Sequence, residues 1–154
     1  MSTRVTTHSL HVPAPPDRVW PWVAQIGQER GGFYSYQWLE NLVGCRITNA
    51  DRIHAEWQHP HPGDRVHLHP DVALDVTEVR EASRLVLHGE NPQYDFSWEL
   101  DVRPQVDGTL LVAHERYRAS SLPARLLVRV VSWVSVPMTR RMLRGIRARA
   151  THSS

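Results

Sequence analysis

The sequence predicts an α+β domain in which one curved, mostly antiparallel sheet wraps around a long C-terminal helix, with two short helices after the first strand. Three observations predict it. From Arg65 to Arg118 strand patterns follow one another through short turns without helical crossovers, which favours an antiparallel meander. A single long helical pattern, Leu122–Ala150, closes the chain and is the element long enough to cover the apolar face of such a sheet. Two short helical patterns, and no strands, separate the first strand from the meander.

Val5–Val12 reads as the first strand, stopped by Pro13-Ala14-Pro15-Pro16. Pro16 suits the first position of a helix and Asp17 its positive dipole end. Val19, Trp20, Val23 and Ile26 recur at helical spacing up to Gly27, a C-terminal cap. Pro21 is expected to bend this helix or move its start downstream. A second short helix is expected from Ser35 to Gly44, with Trp38, Leu39, Leu42 and Val43 on its apolar side. Arg65–His69 is a short strand. Ala73–Val79 and Arg84–His88 form a hairpin around Glu81-Ala82-Ser83. Tyr94, Phe96, Trp98, Leu100 and Val102 alternate with Asp95, Ser97, Glu99, Asp101 and Arg103, so one face is buried and the other wet. After the Asp107-Gly108 turn, Thr109–Arg118 is the last strand. In the final helix Leu126, Leu127, Val130, Val131 and Val134 are expected to face the core before Pro137, where a kink or a break is expected.

At 154 residues the chain has room for one domain, residues 1–154. It can bury roughly two thirds of its unfolded surface, enough for a core without disulfides or metal. Met1–Arg4 and Thr151–Ser154 read as loose ends. The lone Cys45 forms no internal disulfide, and neither a signal peptide nor a run of about 20 apolar residues is present, so a cytoplasmic location is expected. All the basic side chains are arginine, and the net charge is only +2. Outside the C-terminal helix the charges balance, so no nucleic-acid partner is expected.

The segment Ala14–Leu42, with its stretch VWPWVAQIGQERGGFYSYQWLENL, resembles the START-like SRPBCC superfamily, whose fold is the helix-grip. ADRIHAEWQ at Ala50–Gln58, PGDRV at Pro62–Val66 and HERY at His114–Tyr117 extend the likeness over nearly the whole chain, toward a bacterial branch labelled polyketide cyclase/dehydrase-like. The resemblance implies the helix-grip fold and an internal cavity for a small hydrophobic molecule. It brings no established catalytic set, since function resides in sites and not in folds.

Several residue groups are candidates for that cavity. Tyr34, Tyr36, Trp38, Tyr94 and Trp98 combine apolar rings with hydrogen-bonding tips and could stack and orient a flat ligand, although aromatics at strand spacing also serve as plain core. In Asp51–Trp57, His54 and Glu56 could move a proton beside a substrate stacked on Trp57, or the segment could be a salt-bridged connection. Glu115 is the notable carboxylate. If Leu111, Ala113, Glu115 and Tyr117 face inward, a glutamate enters the apolar interior; the opposite phase buries Leu110, Val112, His114 and Arg116. Apolar residues occupy both phases, and the family resemblance favours Glu115 inward, as a structural ion pair with an arginine or as an acid–base group.

His54, His59, His61, His67 and His69 are closely spaced but fit no metal motif and lack a cysteine, so surface histidines and no metal are expected. No activated nucleophile and no phosphate-cradling loop is visible, and no cofactor is expected. Arg140, Arg141, Arg144, Arg147 and Arg149 are read as a solvated face of the covering helix in preference to a membrane contact. Two functions fit: a carrier or sensor of a small hydrophobic or aromatic ligand, and a cofactor-independent cyclase, aromatase or dehydratase using Glu115 with His54 or a tyrosine.

Overall fold

The computed structural model describes residues 2–27, 30, 32, 49–50, 52–69, 72–90 and 94–152. In chain order the elements are β1 (Ser2–Val12), α1 (Pro16–Ala24), a 3-10 turn (Ala55–Trp57), β2 (Arg65–His69), β3 (Val72–Arg80), β4 (Arg84–Glu90), β5 (Tyr94–Gln105), β6 (Gly108–Ala119) and α2 (Leu122–His152). The six strands form one antiparallel sheet in the order β1-β6-β5-β4-β3-β2. This is the predicted α+β helix-grip arrangement. The second short helix expected from Ser35 to Gly44 lies outside the described residues.

Cross-strand register decides which side chains face the helix. Leu10, Leu111 and Val102 share one row across β1, β6 and β5, and Ala113, Leu100 and Leu85 share the next across β6, β5 and β4. The following row is Thr6, Glu115, Trp98 and Leu87. Register shifts at His67/His69 and Val76/Glu78 add local twist to the sheet. Onto this face α2 places Met142, Leu143, Ile146 and Ala150, all buried. α1 packs against both α2 and the sheet and adds the buried Val19, Trp20, Trp22 and Val23 to the same core. Gly108 begins β6 at φ +146°, and a Cβ there would lie 2.2 Å from the Val12 carbonyl oxygen, so the β5–β6 turn needs glycine.

Five expectations are corrected. Ser2–Arg4 are not loose but pair with Arg118, Tyr117 and Ala119, because β6 runs to Ala119 and offers them a ladder. At the other end helix continues through Thr151, whose hydroxyl donates to the Arg147 carbonyl at 2.8 Å. The start of α1 is not moved downstream: the helix begins at Pro16 and contains Pro21, whose carbonyl accepts from Gln58 Nε2 at 3.1 Å. Pro137 does not divide the last helix. It is exposed, and it leaves the carbonyl one turn earlier without its helical N–H donor. Finally, Leu126, Val130 and Val134 point out to solvent, because they lie on the helical face opposite Thr139, Met142, Leu143 and Ile146; the side chains of Leu127 and Val131 lie outside the described residues.

The wet side of β5 holds a further difference. Asp101 is buried, accepting from Arg84 Nε at 3.0 Å and from Arg103 Nη2 at 3.1 Å. The Asp101 carboxylate raises the already high pKa of Arg84. The alternation predicted for this strand is correct, but an arginine on each side shields its polar face from water.

Chemical denaturation distinguishes the two halves of α2. Ile146→Ala should cost about 2–5 kcal/mol, the range for truncating a buried aliphatic side chain. Val130→Ala should stay within about 0.5 kcal/mol, as for a surface change. Equal losses would mean that the outer face is in fact packed.

Candidate functional site

Glu115 is carried inward by β6 between Ala113 and Tyr117, opposite Thr6 of β1 and Trp98 of β5. It is 3 % exposed. A buried carboxylate must be paired or hydrogen-bonded, and the partners here are hydroxyls. Thr139 Oγ1 donates to Oε1 at 2.7 Å, and Tyr117 Oη donates to Oε2 at 2.8 Å. Ser135 Oγ lies 2.9 and 3.0 Å from the two oxygens, and Thr6 Oγ1 reaches Oε2 at 3.4 Å. No arginine forms an ion pair with Glu115 among the described residues, so the arginine pairing considered from the sequence is replaced by hydroxyl donors.

Each partner is placed by its element. Ser135 and Thr139 stand four residues apart on α2 and therefore lie on one helical face, the face turned to the sheet. Tyr117 stands two residues along β6 from Glu115, so both share the concave side. Burial, and then the adjoining Glu115 carboxylate, push the Tyr117 phenol above its ordinary pKa, so Tyr117 acts as a neutral donor. The Tyr117 ring packs against Phe96 with centroids 4.9 Å apart.

Glu115 also marks a change in the wall. Toward Ala113 and Leu111 the concave face is closed by Met142, Leu143 and Ile146. Toward Tyr117 the neighbours Arg4, Phe96 and Gly89 are only half-buried. Arg4 Nε is itself shielded from water and has no hydrogen-bond partner among the described residues. An apolar wall with a few converging polar groups is the ordinary composition of a ligand site.

His54, Glu56 and Trp57 sit on and beside the 3-10 turn. His54 Nδ1 is 3.3 Å from Glu56 Oε1, and its ring stacks on Trp57 at 4.2 Å. The Glu56 carboxyl is exposed and held below its ordinary pKa, first by a backbone N–H and secondarily by His54. The segment is tied to α1 through buried Gln25, whose Oε1 accepts from the His54 N–H at 2.9 Å and whose Nε2 donates to the Arg52 carbonyl at 3.1 Å. Neither His54 nor Glu56 is a hydrogen-bond partner of Glu115, so of the two expected pairings Glu115 with His54 is not formed, whereas a tyrosine, Tyr117, does bond the carboxylate. Trp98 is buried beside Glu115. Tyr34, Tyr36 and Trp38 lie outside the described residues; Tyr94 opens β5 opposite Ala119, and its side chain is likewise outside them.

Sequence reading missed Thr6, Ser135 and Thr139. A signal existed in the last two, hydroxyls spaced i, i+4 on the helical face that leads into Met142, Leu143 and Ile146. It became meaningful only once β6 was in phase. Among the described residues two groups have a geometry that could hold a cation, His88 with Glu90 and Asp95, and Glu99 with Asp101 and His114. In the second, Arg84 and Arg103 already neutralise Asp101. Two recesses occur along the β1 edge, of about 330 Å³ by Arg140 and Arg144 and of about 590 Å³ by Arg147 and Thr151. Neither includes Glu115. No helix among the described residues is long and apolar enough to cross a membrane.

Comparison with known proteins agrees with this geometry. The family model described as "Polyketide cyclase / dehydrase and lipid transport" matches residues 3–153. Norcoclaurine synthase from Thalictrum flavum, solved in complex with dopamine and hydroxybenzaldehyde, superposes with a TM-score of 0.61 at 13 % identity, covering 99 % of this chain and 90 % of that one. Proteins from Mesorhizobium loti (TM-score 0.58, 13 % identity, 98 % of this chain and 99 % of that) and Nitrosospira multiformis (TM-score 0.58, 18 % identity, 97 % of each) are similar as well. At these identities the likeness establishes the fold alone. A comparison with curated proteins finds no match.

The alkaline limb of stability tests the Tyr117 assignment. A phenol whose folded pKa lies above its unfolded value of about 10 contributes fully below that pH and loses its contribution as pH rises, because the unfolded phenol ionises first. In urea unfolding from about pH 9 to 12, the wild type should lose stability more steeply than Tyr117→Phe. Parallel profiles would show that the phenol does not donate to Glu115.

Proposed function

We propose a ligand-enclosing role for this chain, which belongs to the polyketide cyclase / dehydrase and lipid transport family: it holds a small, largely apolar molecule between the concave sheet and α2, against Trp98, Phe96 and Tyr117. The observation that carries the reading is the wall around Glu115. There apolar rings surround a single polar cluster, and burial loosens on the Tyr117 side. Rings supply most of the contact area to such a ligand, while Glu115, Ser135 and Thr139 offer one place for a hydroxyl or N–H to anchor it. Tyr34, Tyr36, Trp38, Tyr94 and Trp57 are proposed as the remainder of the lining.

A carrier reading suits the way Glu115 is bonded. Its oxygens are occupied by hydroxyl donors, which orients it and leaves it poorly placed to abstract a proton. A second reading, ring closure or loss of water on a polyketide-like substrate, has one observation in its favour. Tyr117 and Glu115 form a hydrogen-bonded donor–acceptor pair at 2.8 Å within an apolar wall.

Thermal unfolding with a panel of 2-naphthol, indole and dodecanol, alongside native mass spectrometry of the purified protein, tests binding. A ligand at a hundredfold excess over its Kd should raise Tm by about 5–10 °C. Phe96→Ala should lose most of that rise. No shift with any compound, together with a mass equal to the bare chain, would refute the carrier reading. Turnover of a β-hydroxy ketone that disappears in Tyr117→Phe would select the enzyme instead.

A further inference from the structure

The two faces of α2 differ along its length. The inner face carries Ala124, Thr139, Met142, Leu143, Ile146 and Ala150, all buried. The outer face begins with Leu122, Leu126, Val130, Trp133 and Val134, which are 50–68 % exposed. Steps of three and four residues put these five side chains on one line of the helix. The same line continues past Pro137 through Arg140, Arg141, Arg144 and Arg147. One helical face is therefore mainly apolar in its first half, with exposed Arg129 beside the stripe, and cationic in its second. From Leu122 to His152 there is no aspartate or glutamate. Arg140 and Arg144 form no ion pair among the described residues. They border the recess of about 330 Å³ against Thr7, His8 and Ser9 of β1.

We propose that this outer face is a peripheral docking surface for an anionic lipid bilayer, with the Leu122–Val134 stripe entering the interface and Arg140 and Arg144 taking lipid phosphates. A contiguous exposed apolar stripe of this kind marks an interaction surface. Its chemistry is that of an interfacial helix: aliphatic side chains and a tryptophan to lie at headgroup depth, and arginines to meet anionic lipid. The recess beside Arg140 and Arg144 has the size and donors for a phosphate headgroup. Charge argues against a second copy of the chain. A parallel pairing of two α2 helices would oppose arginine to arginine, and an antiparallel one would bury arginines against leucine and valine; no acidic residue on α2 relieves either. Nucleic acid would leave the apolar half unused. The inference is independent of which molecule the interior holds.

Co-sedimentation of the full chain with phosphatidylcholine vesicles, with and without about 30 mol % phosphatidylserine, tests it. Binding should require the anionic lipid and fall at least tenfold between about 0.05 and 0.5 M salt. Trp133→Ser and the double variant Arg140→Glu/Arg144→Glu should each lower the partition coefficient about tenfold or more, with Tm unchanged because these side chains are exposed. Absence of binding to anionic vesicles would overturn the proposal. So would binding that both variants leave intact, or a wild-type dimer in sedimentation equilibrium that Trp133→Ser makes monomeric, which would assign the face to a second copy.

Discussion

A carboxylate removed from water needs donors, and Glu115 finds them on three separate elements. Thr6 belongs to β1, Tyr117 to Glu115's own strand β6, and Ser135 and Thr139 to α2. Apolar contacts hold the second half of α2 against the sheet but are indifferent to small shifts along it. The hydroxyl cluster is not, because a hydrogen bond fails within a few tenths of an ångström and an orphaned buried carboxylate is costly. The tie therefore sets the height and register of the helix above the sheet. Beyond it, toward Tyr117 and Phe96, burial loosens, and the proposed ligand space begins where the tie ends.

Most of the fold was legible because its signals are local and periodic. The alternation from Tyr94 to Val102, the Asp107-Gly108 turn and the long final helix each follow from the short-range geometry of strands, turns and helices. Errors arose where a partner distant in sequence decides. Ser2–Arg4 have no strand signal of their own and are ordered by the end of β6. Leu126, Val130 and Val134 obey helical periodicity, but periodicity alone does not say whether the element opposite is sheet or solvent. Asp101 alternates as a wet residue and is buried by arginines of β4 and β5.

The site was legible only in part, for the same reason. Glu115 drew attention as a carboxylate among apolar neighbours, with both strand phases open until cross-strand register settled its direction. In place of the arginine that was one of two alternatives beside it stands a set of hydroxyls drawn from residues 6, 117, 135 and 139, a grouping that no sequence window contains. His54 and Glu56, adjacent in sequence to Trp57, do form a cluster, but it is bound to α1 through Gln25 and Arg30 and stands apart from the carboxylate. The carboxylate and its donors are thus defined by what the sheet and helix bring together and not by a compact motif.

A double-mutant cycle between Glu115→Gln and Thr139→Val, read by urea unfolding at neutral pH, tests the tie most directly. If Thr139 anchors α2 through this carboxylate, the two changes should be coupled by about 1 kcal/mol or more. Additivity within about 0.3–0.5 kcal/mol would contradict it, showing that the helix is held over the sheet by apolar packing alone.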